Sequence, residues 1–105
     1  MTVPQITSVE KRSPQDVPAG YSLSQNYPNP FNPTTMIRYA LPERAFVRMD
    51  VFDILGQCVR TPVNSEQAPG IHEVIFDGQG LASGVYFYKL SAGSFVKVEK
   101  MLRLK

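Results

Sequence analysis

The chain of 105 residues is poor in the side chains from which metal and catalytic sites are usually built. It contains one cysteine, one histidine and no tryptophan. A single cysteine, Cys58, excludes an internal disulfide, and we expect this thiol to be a small core residue. His72 has only Cys58 as a second soft ligand, which is too few for a zinc site. No apolar run approaches the roughly 18 residues of a membrane-spanning helix.

Other catalytic and binding motifs are missing or incomplete. Residues 80–84 (GLASG) have the wrong spacing for a nucleophile elbow, and the glycines at 78 and 80 are too isolated to cradle a phosphate. No D-x-D-x-D-G loop is present, so calcium would require four separate acidic residues to gather at one end of a sandwich: Asp50, Asp53, Glu73 and Asp77. We therefore predict no enzyme activity and no cofactor.

Charge is nearly balanced, with a formal net charge of +2. A chain of this kind is not expected to bind nucleic acid as a whole. The segment from Lys89 to Lys105 is nevertheless basic, with five basic residues and a single acidic one, Glu99. Such an excess is typical of a solvated strand face, and it is also compatible with a recognition surface.

Proline is the residue present in excess. Seven of the nine prolines fall in the first 42 residues, which excludes a helical bundle because each proline removes a backbone donor. Residues 1–20 contain three of them among polar residues and are predicted to be a flexible linker. The first residues lack the basic stretch and apolar block of a signal peptide. We expect the chain to be a fragment of a longer protein, with an N-terminal cargo domain before the linker.

The rest of the chain alternates apolar and polar residues in short runs. Seven such runs, separated by turn signals and without any helical periodicity, predict an all-β fold: a seven-stranded antiparallel β-sandwich. Pro62 places the fourth run at a sheet edge. The predicted core consists of Leu23, Ile37, Tyr39, Leu41, Val47, Met49, Val51, Val59, Val74, Phe76, Tyr86, Tyr88, Leu90, Val98, Leu102 and Leu104.

One proline-rich block stands directly before the second predicted strand. Three prolines in eight residues leave it without the donors of a central strand, so we expect a stiff, polyproline-like crossing. We expect its asparagine side chains to bond nearby backbone, and Tyr27 and Phe31 to point inward. The block consists of Asn26, Tyr27, Pro28, Asn29, Pro30, Phe31, Asn32 and Pro33.

This block begins a series of motifs that resembles a known family. From Tyr21 to the end, the chain is similar to the type A C-terminal sorting domains of proteins exported by the type IX secretion system (the Por system) of Bacteroidetes-related bacteria. The resemblance rests on residues 23–35, 51–53, 70–78 and 83–90 and on the terminal Leu104 and Lys105. The chain departs from the family's pattern in three places: Phe76 stands where tryptophan is frequent, and Cys58 and Pro62 lie in the fourth strand.

The resemblance implies an immunoglobulin-like sandwich that serves as a non-catalytic secretion signal. Residues 21–105 would be the sorting domain. It would pass through the periplasm, be recognised by the outer-membrane translocon and be cut within residues 2–20 by a sortase-like cysteine protease. The cargo would then reach the cell surface or the extracellular space. A carbohydrate-binding or surface-anchoring module of an extracellular enzyme is the alternative, and a structural protein such as an adhesin is a third.

The last predicted strand is the candidate recognition element, because a strand that ends at a free terminus can present its edge to a partner. Ordinary strand pairing is the competing interpretation of the same residues. An unpaired edge here would also allow a strand-exchanged dimer. The candidate contact residues are Lys100, Leu102, Leu104 and Lys105, with Gly84 and Tyr86 holding the hairpin beneath them.

Overall fold

The computed structural model describes residues 17–105, so most of the predicted linker, residues 1–16, lies outside the described residues. Within the described part there are seven strands and no helix, which confirms the all-β prediction. The strands are β1 (Ser22–Leu23), β2 (Thr34–Leu41), β3 (Ala45–Phe52), β4 (Cys58–Gln67), β5 (Gly70–Asp77), β6 (Gly84–Ala92) and β7 (Phe95–Arg103).

The strands form two antiparallel sheets that face each other. One sheet has three strands in the order β1-β2-β5, and the other has four in the order β4-β3-β6-β7. The two sheets form the immunoglobulin-like sandwich that the sequence predicts. β4 and β7 are therefore the two edges of the larger sheet. Within residues 17–105 there is no helix long and apolar enough to cross a membrane.

The core lies between the sheets, where alternate residues of β2, β3 and β6 point inward. Ile37, Val47, Met49, Tyr88 and Leu90 have no solvent exposure. The Tyr88 hydroxyl donates a hydrogen bond to the carbonyl of Ser24 at 2.6 Å, so the buried ring keeps a polar partner. Burial raises the pKa of this phenol.

The predicted orientation of β7 is wrong. Met101 and Arg103 point into the protein, whereas Val98, Leu102 and Leu104 are exposed. Since successive side chains of a strand alternate between faces, choosing the even positions as the buried set reversed the whole strand. The pairing of Tyr86 with Met101 fixes the observed face, because Tyr86 is itself buried.

β4 is an edge strand, as Pro62 predicts. It also contains Cys58, for which the prediction of a core position is wrong. Two irregularities in the pairing with β3, on either side of Val51, leave extra β4 residues without a direct partner. Cys58 lies at the start of this irregular stretch and is exposed, not buried in the core. Val63 is buried, while Val59 and Val74 are half-buried against the core and do not form part of its centre.

Candidate functional site

The proline-rich block, residues 26–33, crosses between the two sheets along the side where β1 and β7 lie; we call it the strap. At its first end Tyr27 pairs with Met36 of β2, with N–H to O distances of 3.0 and 2.9 Å. At its other end Phe31 forms a parallel bridge with Arg103 of β7. The strap consists of bends between these two bridges, not of a continuous polyproline helix. It therefore ties one sheet to the other.

The two aromatic residues of the strap have different environments. Phe31 is 1% exposed, as predicted, but Tyr27 is 78% exposed, and the inward orientation predicted for it is wrong. Directly paired residues of antiparallel strands project to the same face, and Met36 lies on the outer face of β2. Tyr27 must therefore project outward with it, and only Phe31 anchors the strap in the core.

Asparagine and threonine side chains fix the first half of the strap. Asn26 is 2% exposed, and its amide donates to the Thr35 hydroxyl at 3.0 Å and to the Pro28 carbonyl at 3.2 Å. The Thr35 hydroxyl donates to the same carbonyl at 2.8 Å. The prediction that an asparagine side chain would bond nearby backbone is confirmed. These contacts satisfy buried polar groups in a segment that has few backbone donors of its own.

The second half of the strap covers the backbone edge of β7. The Phe31 amide donates to the Leu102 carbonyl at 3.0 Å, and the Leu104 amide donates to the Phe31 carbonyl at 2.9 Å. The Leu102 amide donates to the Asn29 side-chain oxygen at 3.0 Å, and Gln25 donates to the Lys100 carbonyl at 2.7 Å. The expectation of an unpaired edge at the end of this strand is therefore wrong.

Arg103 is the buried polar residue that secures this corner. Its side chain donates to the Gly78 carbonyl at 3.0 Å, to the Asn32 side-chain oxygen at 3.2 Å and to the Leu104 carbonyl. Arg103 is 7% exposed, and no carboxylate within residues 17–105 forms an ion pair with it. A buried guanidinium is retained here because oxygen acceptors surround it.

Gly78 allows the strap and β7 to approach each other this closely. A β-carbon at Gly78 would lie 3.0 Å from side-chain atoms of both Arg103 and Phe31. The Gly78 amide also donates to the Pro33 carbonyl at 2.8 Å, and the rings of Phe31 and Phe76 meet edge to face at 6.1 Å. Arg103 was not predicted to point inward, because the even positions of β7 were taken as its buried set. Residues two apart on a strand share a face, so a buried Met101 would have indicated that Arg103 points inward as well.

The candidate recognition residues divide into exposed and buried ones. Lys100, Leu102, Leu104 and Lys105 are all at the surface, with Leu102 36% and Leu104 46% exposed. Tyr86 is buried and donates to the Ala82 carbonyl at 2.7 Å, so it supports the hairpin from within. Gly84 pairs with Arg103 and has a φ of 143°, a conformation that favours glycine.

The exposed residues of β7 continue onto β6 and form one surface. The pairs Val85 with Leu102, Phe87 with Lys100 and Lys89 with Val98 all lie on the side of the sheet that faces away from the core. We call these six residues the β6–β7 outer face. A shallow cavity of about 160 Å³ lies at its end and is lined by Asn29, Val85, Lys100, Met101 and Leu102. Four residues of the β6–β7 outer face are apolar, and its two lysines occupy different strands, with Lys100 opposite Phe87 in the middle pair and Lys89 opposite Val98 at one end.

The acidic residues of the described part of the chain do not form the calcium site considered above. No group of three histidine, cysteine, aspartate or glutamate residues in the described part of the chain is placed to hold a metal ion. Asp50 accepts from Arg48 at 2.9 Å and from Thr61 at 2.9 Å, and Asp53 accepts two amides of its own turn, so the calcium arrangement does not form. Burial raises the pKa of Asp50, but the hydrogen bonds from Arg48 and Thr61 outweigh it and leave that pKa below its usual value.

The lone histidine is accounted for by packing. His72 stacks on Tyr39 with a centroid separation of 5.2 Å, and its Nε2 lies 2.8 Å from the Ala68 carbonyl. It is half-buried on β5 and, within residues 17–105, belongs to no group of three side chains placed to hold a metal ion. The arrangement is that of a partly exposed residue on a paired strand.

The strap and its partner on β7 mark the bounds of a sequence match. A family model of the secretion system C-terminal sorting domain matches residues 25–103, from the residue before the strap to the residue that the strap covers. The chain belongs to this family. The sorting domain is therefore a non-catalytic signal of type IX secretion, and proteins sorted in this way are exported to the cell surface or the extracellular space.

A solved structure supports the fold of the sorting domain. The sorting domain is similar in structure to PorZ, which is described as an essential bacterial surface component of the type-IX secretion system of Porphyromonas gingivalis. The TM-score is 0.52, and the two chains are 19% identical over a match that covers 82% of this chain. The chain spans 12% of the length of the PorZ chain. At this identity the similarity concerns the fold alone. A search of curated proteins finds no match.

Proposed function

We propose that residues 21–105 act as a sorting domain for a cargo that precedes them, and that residues 1–20 link the two. The domain would carry its cargo from the periplasm through the type IX translocon, which would recognise the surface of β7. The observation that carries this proposal is the strap. It fixes the backbone edge of β7 at Leu102 and Leu104, while Gln25 directly before it bonds Lys100, and together they hold the end of the last strand in one orientation. A preorganised surface loses less conformational freedom when a partner binds.

A fusion experiment tests the sorting role. The full 105-residue chain is attached to a reporter with an ordinary signal peptide, in a host with an active type IX system. We expect the reporter in the medium or at the cell surface, and in the periplasm when the host lacks the translocon. Retention of the reporter in the periplasm of the competent host would contradict the proposal.

A second fusion tests the role of the last strand within the sorting domain. Deletion of residues 94–105 removes β7 together with the partner of Phe31. We expect the reporter to stay in the periplasm. Export of the shortened fusion at the level of the full chain would exclude recognition through β7, even if the domain as a whole proves to be a signal.

Cleavage in the linker is a separate part of the proposal. A sortase-like cysteine protease would cut within residues 2–20, because the proline-containing, polar sequence there is typical of a linker and linkers are preferred sites of proteolysis. Mass spectrometry of the exported reporter would give its new C-terminus. A terminus within residues 21–105, or an uncut fusion outside the cell, would contradict this step.

A carbohydrate-binding module is the alternative function, and one observation favours it. The Tyr27 ring is 78% exposed and borders a shallow cavity of about 220 Å³ that Gln25 and Arg38 also line. An exposed ring beside polar side chains can stack on a sugar. Binding of the purified domain to a glycan array, lost on Tyr27→Ala, would support this function. Absence of binding to bacterial and plant polysaccharides would exclude it.

A further inference from the structure

We propose that the translocon component that recognises this domain docks on the β6–β7 outer face through side chains, and that its own surface there is apolar and acidic. This inference rests on the proposed function and specifies how the recognition takes place. It differs from strand addition, the mode in which a partner would extend the sheet by pairing with the backbone of β7.

Strand addition requires free backbone groups along the edge. In an antiparallel pair, alternate residues of an edge strand direct their N–H and C=O groups away from the neighbour. On β7 these are the even-numbered residues, since the groups of Leu102 bond to the strap and not to β6. The strap and Gln25 already bond the backbone of Lys100, Leu102 and Leu104. Within residues 17–105, the outward groups of Val96 and Val98 and the amide of Lys100 have no such bond, so the free edge is confined to the first part of β7 and ends before Leu102.

The side chains of the same residues are free. Val98 is 51% exposed and Leu102 is 36% exposed. Leu102 pairs directly with the half-buried Val85, and the half-buried Phe87 lies diagonally next to both Leu102 and Val98. β-branched and aromatic residues with this spacing form a continuous apolar surface on a pleated sheet. Contiguous exposed apolar surface of this kind marks an interaction site.

Charge defines the chemistry of the partner. Lys89 and Lys100 are the only charged side chains among the outward positions of β6 and β7, where no acidic residue occurs. Asp50 pairs with Lys89 in the sheet, but its carboxylate is bound by Arg48 and Thr61. The Lys89 ammonium group instead lies over the Phe52 ring at 5.6 Å. A complementary partner places carboxylates opposite Lys89 and Lys100 and apolar side chains opposite the residues between and beside them.

A protein surface fits these features better than a membrane. Electrostatic attachment to anionic lipid relies on clusters of about four to eight basic residues, and this face has two. A flat, preorganised surface with separated charges is suited to a partner of fixed shape.

Secretion of the reporter fusion tests the proposal with matched variants. Val98→Thr together with Leu102→Thr retains β-propensity and makes the face polar, and Lys89→Glu together with Lys100→Glu reverses its charge. We expect each pair to lower the exported fraction about tenfold or more, the loss typical of central interface residues. Ile71→Thr together with Ile75→Thr is the control, because these β5 residues are 58% and 66% exposed on the opposite sheet. The control should be exported like the parent.

The outcomes separate this inference from the function on which it rests. Thermal melting of each purified variant within a few degrees of the parent shows that the fold is intact. If the parent fusion is exported and both outer-face pairs are exported equally well, docking on this face is excluded while the sorting role stands. If the parent itself is not exported, the sorting role fails and this inference with it. The proposed protein partner would be wrong, and a membrane the partner instead, under one further result: the parent binds phosphatidylglycerol vesicles, the Lys89→Glu and Lys100→Glu pair does not, and the Val98→Thr and Leu102→Thr pair binds like the parent.

Discussion

The two edges of the four-stranded sheet, β4 and β7, are protected in different ways. β4 protects itself: it contains Pro62, its pairing with β3 is irregular around Val51, and its last residues are mostly polar and exposed. β7 depends on a distant segment, because the strap supplies Phe31 and Asn29 from about 70 residues earlier in the chain. An edge that protects itself cannot be exposed by moving another segment, whereas an edge covered by a strap can.

The difference explains why β7 can be both regular and protected. Irregular pairing and proline would disturb the alternation of β7, and with it the surface that we propose for recognition. The strap covers the backbone edge and leaves the outward side chains of Val98, Lys100 and Leu102 accessible. Protection by a separate segment therefore preserves a flat face next to a closed edge.

Among the substitutions that compare the two edges, removal of the aromatic anchor of the strap should have the largest effect on stability. Phe31→Ala deletes a ring that is 1% exposed and packs against Phe76, which should lower the free energy of unfolding by about 3–5 kcal/mol. Pro62→Ala is the β4 counterpart and should change it by about 1 kcal/mol or less. Urea denaturation measures both. If both substitutions lower the free energy of unfolding by the same amount, β7 does not depend on the strap more than β4 depends on its proline.

Filling the space at Gly78 should have the next largest effect. A Gly78→Ala β-carbon would meet Arg103 and Phe31 at 3.0 Å, and separating the strap from β7 to relieve this should cost about 1–3 kcal/mol. Gly20→Ala is the control, since a β-carbon there meets nothing within 4 Å. The control should stay within about 0.5 kcal/mol of the parent. Chemical denaturation with an unchanged Gly78→Ala midpoint would contradict the close approach.

Loss of a single edge bond should have a smaller and more local effect. Asn29→Ala leaves the Leu102 amide without its 3.0 Å acceptor, which should cost about 1 kcal/mol and speed hydrogen exchange at that amide. Asn64→Ala, an exposed substitution in β4, should leave exchange in β7 unchanged. If the Leu102 amide exchanges equally slowly in the Asn29 variant, the strap side chain does not protect this edge.

The sequence predicted β4 better than β7 for a physical reason. Pro62 by itself predicts an edge strand, because proline has no backbone N–H to donate to a neighbouring strand. The cover on β7 depends on the pairing of Phe31 with Arg103, which no local pattern contains. The alternation of β7 is also ambiguous: its even positions are mostly apolar, and its inward odd positions include Lys97, Glu99 and Arg103. Period alone shows that residues alternate, but not which set is buried.

Acidification should produce the smallest effect on stability, and it concerns Asp50 of β3, which accepts a hydrogen bond from Thr61 of the edge strand β4. The folded-state pKa of Asp50 is lower than its unfolded value of about 3.9, because hydrogen bonds from Arg48 and Thr61 outweigh burial. The ionised carboxylate therefore stabilises the fold above about pH 4, and this contribution disappears as the pH falls through the folded pKa. Arg48 is 51% exposed, so solvent screening keeps the effect small.

Asp50→Asn tests this, because it removes the ionisable group while retaining the shape. We expect the variant to be less stable than the parent at neutral pH, and the difference to shrink as the pH falls below about 4. Thr61→Val removes one donor from the β4 side at 2.9 Å and should lower stability in the parent more than in the Asp50→Asn background. Denaturation at several pH values measures both. A constant difference across this range would mean that the Asp50 contacts do not help to hold the irregular edge, and that β4 relies on the geometry of its own strand alone.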